Sequence, residues 1–72
     1  MRRAILEALR ARYEAEIAEA DATANIYLEN SVGIGEHPQH IEEVDKQIEK
    51  IANAKEKIDV LEEFEPERGE VL

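Results

Sequence analysis

The segment Ser31-Val32-Gly33-Ile34-Gly35-Glu36-His37-Pro38 is the one interruption between two long helix-forming stretches of nearly equal length. A chain with a single break and two helical halves has few ways to bury an apolar face, and folding back on itself is the simplest. The expected fold class is therefore all-α, two long antiparallel helices forming a helical hairpin. The first helix is expected over about residues 3–31, the connector over 32–37 and the second helix over about 38–64. Residues 1–64 then make one hairpin domain, and 65–72 read as a flexible acidic tail.

In the first half, Leu6, Leu9, Tyr13, Ile17, Ala20, Ala24 and Leu28 follow one another at steps of three or four, which places them on one helical face. Leu6, Ile17 and Leu28 repeat every eleven residues, the period of a straight or slightly right-handed stripe. Eight alanines between Ala4 and Ala24 add intrinsic helix propensity. In the second half, Ile41, Val44, Ile48, Ile51, Lys55 and Ile58 keep a heptad-like spacing that continues into Leu61 and Phe64. Pro38 suits a first helical turn, where its missing N–H costs nothing, and Pro66 marks a stop.

With the turn centred near Ile34, facing residues should have numbers that sum to roughly 68. That pairs Ile17 with Ile51, Ala20 with Ile48, Ala24 with Val44 and Tyr27 with Ile41. Two rods cannot enclose the sides of their own seam, and Ile5, Ile26, Tyr27 and Val60 lie beside it. A chain of 72 residues without cysteine has no disulfide to offset a small core, which leaves self-association. The expectation is a homodimer forming a four-helix bundle, with Leu6, Leu9, Tyr13, Ile17, Tyr27, Ile41, Val44, Ile48, Ile51, Ile58 and Leu61 in the core or the dimer interface.

The connector has a structural explanation. Gly33 can end the first helix in the left-handed conformation, Ile34 can fold back toward Leu28, and Gly35 can supply the second reversal. A phosphate loop needs a preceding strand and a nearby lysine, whereas here a helix precedes and Glu36 follows. His37, His40 and Glu43 recur every third residue at the start of the second helix, so a small metal-binding module is a third functional candidate, with Glu36 as a further oxygen donor. A solvated helix start accounts for the same residues. The Glu-x-x-His step of di-iron bundles is absent, because Ile34 precedes His37 and His37 precedes His40 at that spacing. The reading is of no metal and no cofactor.

Lys55 falls in the second apolar stripe opposite about Tyr13. Its stem can lie along the seam while its ammonium reaches Glu14, Glu16 or Asp59, so register is a better account of it than catalysis. Tyr13 and Tyr27 read as core or interface aromatics. No nucleophile with a nearby base is evident, and a pair of rods offers no deep pocket, so no enzymatic activity is expected.

Eighteen acidic against nine basic side chains give a formal charge of -9, which repels nucleic acid and anionic lipid. The imbalance is uneven. Residues 1–12 carry Arg2, Arg3, Arg10 and Arg12 against Glu7, while residues 59–72 carry six acids against Arg68, and an antiparallel hairpin sets these ends side by side. Neither a secretory leader nor a membrane span is legible, because Glu7, Arg10 and Arg12 interrupt the only candidate apolar run. A cytoplasmic setting is expected.

The run Asn30-Ser31-Val32-Gly33-Ile34-Gly35-Glu36-His37-Pro38, followed by Ile41-Glu42-Glu43-Val44-Asp45, resembles the connector of small helical-hairpin proteins encoded by tailed phages of cyanobacteria and other marine bacteria. The resemblance implies a phage origin and a setting in the host cytoplasm, with a host or virion protein as a further partner. It brings no activity, ligand or catalytic residue with it. The leading expectation is a non-enzymatic, self-associating interaction or structural protein. The alternative is an acidic inhibitor that imitates nucleic acid and occupies a basic host protein, for which Glu49, Glu56, Asp59, Glu62 and Glu63 should form one exposed stripe.

Overall fold

The computed structural model describes residues 1–34 and 37–65, with side chains at 1–29 and 39–65. The alanine-rich first half forms one uninterrupted helix, α1 (Arg2–Ile34), and the second half forms α2 (His37–Glu62). At 1.5 Å per residue the 33 residues of α1 span about 50 Å, which accounts for the longest dimension of the molecule, 53 Å against 19 and 15 Å. The radius of gyration is 16.5 Å, whereas a compact domain of this length has about 11 Å. The two helices pack along each other as an all-α hairpin.

Three boundaries differ from the sequence reading. α1 runs through Gly33 to Ile34, so Gly33 does not end the helix. Glycine permits a left-handed cap but does not compel one. α2 starts at His37, which puts Pro38 in its first turn as expected. The α-helix then ends at Glu62 rather than Phe64, because the last turn tightens: Glu63, Phe64 and Glu65 donate to the carbonyls of Val60, Leu61 and Glu62 at 3.0, 2.9 and 3.3 Å. Such i to i−3 bonds satisfy carbonyls that the end of an α-helix leaves open. Gly35 and the tail beyond Glu65 lie outside the described residues.

The seam is narrower than the stripes suggest. In α2 the buried residues are His40, Gln47, Ala54 and Leu61, spaced by seven, and the partly buried Val44, Ile51 and Ile58 form a second column between them. In α1 the corresponding columns are Leu6, Tyr13, Ala20 and Tyr27, and Arg10, Ile17 and Ala24. Both helices thus alternate steps of three and four, the 3.5-residue period that keeps a seam facing its partner over many turns. This replaces the eleven-residue stripe: Leu28 is 62% exposed and Tyr27 takes its place.

The same period corrects the face of α2. Ile41 and Ile48 are 73% and 55% exposed, and His40 and Gln47, one residue earlier, are buried at 8% and 7%. Tyr27 therefore meets His40 rather than Ile41, and Ala20 lies level with Gln47 rather than Ile48. The antiparallel register itself differs by one residue, since 27 and 40 sum to 67. The buried apolar residues are Ala20, Ala24, Ala54 and Leu61, and no large side chain is fully buried among the described residues.

Candidate interaction surface

Each seam column has a flank on either side, because successive helical residues turn by about 100°. The residues just before the Arg10–Ile17–Ala24 and Val44–Ile51–Ile58 columns form one side, here the leading flank. Those just after Tyr27, His40 and Gln47 form the opposite, trailing flank. Large apolar side chains that the seam leaves out collect on both.

On the leading flank, a groove near the chain ends is lined by Leu6, Leu9, Tyr13, Val60, Leu61 and Phe64, with Asn53, Glu56 and Lys57 at its rim. Phe64 and Val60 are about half exposed there. It continues toward the middle of the rod into a polar groove lined by Glu16, Glu19, Ala20, Thr23, Gln47 and Lys50, and the two grooves share Asn53 and Lys57. On the trailing flank, a second apolar groove lies toward the connector, lined by Tyr27, Leu28, His40, Ile41, Val44 and Ile48, with Asp45 beside it. The expected interface residues therefore separate: Tyr13, Ile17, Tyr27, Val44, Ile51, Ile58 and Leu61 belong to the seam, while Ile41 and Ile48 face outward.

The chain ends are tied by arginine. Arg10 holds Glu65 with Nη2 at 3.0 Å from both carboxylate oxygens and Nε at 3.2 Å, and reaches Glu62 at 3.5 Å. Hydrogen bonding to Glu65, reinforced by the charges of Glu65 and Glu62, pushes the guanidinium further above its already high ordinary range. The Arg2 guanidinium donates to the Phe64 carbonyl. The last turn of α2 has no basic residue of its own, so α1 supplies the cations that a helix C-terminus favours. Arg10 occupies a seam position that a hydrophobicity scan passes over, and Glu65 is engaged although it lies beyond α2.

The other chemical candidates fall apart in space. Lys55 is exposed and lies outside the seam; the cation over Tyr13 is Lys57, with Nζ 5.5 Å from the ring centroid. His40 is packed against Tyr27 rather than solvated at a helix start. Glu43 pairs with Lys46 at 3.4 Å, and the His37 side chain lies outside the described residues. Among the described residues no three His, Cys, Asp or Glu side chains group as metal ligands. Of Gly33, Ile34 and Gly35, the first two are helical and the third lies outside the described residues.

Sequence reasoning missed His40, Gln47, Ala54 and Arg10. Their signal was the unbroken alternation of fours and threes, which runs into Leu61 at one end and Leu6 at the other. Among the described residues no helix is long and apolar enough to cross a membrane. In comparisons with known proteins, no family model, no curated protein and no solved structure matches the chain.

Proposed function

We propose that the chain is a non-enzymatic interaction or structural protein, a helical hairpin that completes its core by pairing with a second copy in a four-helix bundle. The observation that carries this reading is the mismatch between core and surface. No large side chain is fully buried among the described residues, yet Ile5, Ile26, Leu28, Ile41, Ile48, Val60 and Phe64 are all 46% exposed or more. The chain exposes 5648 Å², against about 4,500 Å² for a compact monomer of its mass. That excess, roughly 1,100 Å², is more than the area of about 800 Å² that each partner buries in a standard interface. A phage origin, which the connector resemblance implies, would set this assembly in the host cytoplasm. Sedimentation equilibrium over a wide concentration range, with helicity followed on the same samples, tests the reading. A cooperative helical dimer supports it, and a stably folded monomer at every concentration removes it.

A second reading, an acidic occupant of a basic host protein, is favoured by one feature. Glu49, Glu56 and Glu63 recur every seven residues on the outer face of α2, and they and Asp59 are exposed. Glu62 leaves that row, drawn toward Arg10. Titrating the chain into a complex of labelled duplex DNA with a purified basic host protein decides it: release of the DNA at low salt supports the decoy, and retention removes it.

A further inference from the structure

From the distribution of charge about the seam, we infer that the second copy docks on the leading flank, around a two-fold axis parallel to the rods, with both connectors at the same end. This rests on the self-association proposed above and selects one of two surfaces for it. Both flanks carry an apolar groove, so hydrophobic area does not choose between them.

Charge does. The trailing flank carries Glu7, Glu14, Asp21, Asp45, Asp59 and Glu62 against Lys55 and the inward Arg10. Two such surfaces laid together repel. The leading flank carries Glu16, Glu19 and Glu43 against Arg12, Lys46, Lys50 and Lys57, and these nearly cancel. Like-charge juxtaposition across an interface costs several kcal/mol, whereas complementary rows fix partner and orientation.

The leading flank is also divided between the helices in a way that selects the symmetry. At mid-rod its acids, Glu16 and Glu19, belong to α1 and its base, Lys50, to α2. Neither Glu16, Glu19 nor Lys50 forms an ion pair among the described residues. A two-fold axis parallel to the rods lays α1 of each copy against α2 of the other at the same height. The acidic pair of one copy then faces Lys50 of the second twice over. At the chain ends the same operation sets Leu9 and Ile5 against Val60 and Phe64 of the second copy. Reversing the second rod would instead oppose this apolar end to the Glu43 and Lys46 end.

The chain has no cysteine, so a single Ala4→Cys substitution on this exposed position reports geometry through a spin label. In the proposed dimer the two labels lie within about 30 Å, the width of a bundle two helices across. With the rods reversed they lie near the full rod length, 53 Å. Charge reversal supplies the second measurement, made by sedimentation equilibrium. The variants Glu16→Lys/Glu19→Lys and Lys50→Glu are each expected to dimerise at least about tenfold more weakly than the parent. Mixed in equal amounts they should form a heterodimer of parental affinity, which also shows that both are folded. Lys55→Glu should leave association unchanged. A parent that dimerises with distant labels, or charge-reversed variants that pair as the parent does, overturns the leading-flank assignment and leaves self-association standing. A parent that stays monomeric overturns both.

Discussion

The Tyr27 ring centroid lies 5.8 Å from that of His40, with the two planes inclined at 58°. This tilted contact sits nearest the connector and sets the pairing of the two helices, because the seven-residue columns running from Tyr27 and His40 reach Leu6 and Leu61 at the opposite end of the seam. Replacing Tyr27 with alanine removes a half-buried aromatic from the seam. A loss of about 1–3 kcal/mol in folding stability is expected. Leu28→Ala, one residue on, should change monomer stability by no more than about 0.5 kcal/mol, since Leu28 faces outward. Urea unfolding of both variants at one low concentration checks the contrast, and equal losses would place Leu28 in the seam after all.

Gln47 is 7% exposed between Ala20 and the isoleucine column of α2. A buried amide costs stability that an apolar side chain of similar volume does not, while it fixes which residues pair. Gln47→Leu is therefore expected to raise stability by about 1 kcal/mol and to weaken the choice of register. Thermal unfolding gives the first, and heterogeneous amide spectra in the variant would reveal the second. A destabilised variant with one clean spectrum would contradict both.

Arg10 joins the two chain ends through Glu65 and Glu62. Arg10→Ala should lower the unfolding temperature and speed amide exchange in the last turn of α2, and high salt should shrink the difference. The guanidinium is raised above its ordinary range, so its stabilising contribution is complete below the unfolded value and is lost only as pH rises through the still higher folded value. Between about pH 6 and pH 11 the Arg10 guanidinium should add no slope to stability. The difference in stability between the parent and Arg10→Ala, followed toward the alkaline end, tests this; a fall in that difference below about pH 11 would contradict it.

Lys57, not Lys55, lies over the Tyr13 ring. An exposed cation–π contact contributes about 0.5–1 kcal/mol, so Lys57→Ala should lose roughly that amount. Lys55→Ala should stay close to the parent. Substituting Tyr13 with leucine removes the ring face and should make Lys57→Ala nearly neutral. Additive losses in that double-mutant cycle would mean that the contact contributes nothing.

The two helices, their antiparallel return and their pairing to within one residue were legible in the sequence, because each follows from local chemistry. Alanine and long unbranched side chains favour helix, the connector interrupts it once, and the position of that interruption sets which residues face each other. The charge asymmetry of the chain ends was legible too, and Arg10 with Glu62 and Glu65 realises it. The face that α2 turns inward was decided by tertiary structure. Val44, Ile51 and Ile58 belong equally to a seam completed by Ile41, Ile48 and Lys55 and to one completed by His40, Gln47 and Ala54. Hydrophobicity selects the first. Two long rods must keep one period against each other throughout, and only the second continues without a break into Leu61 while α1 runs from Leu6 to Tyr27. The isoleucines displaced from the seam became the exposed surface, a result of packing over the whole length of the hairpin that no local window of sequence contains.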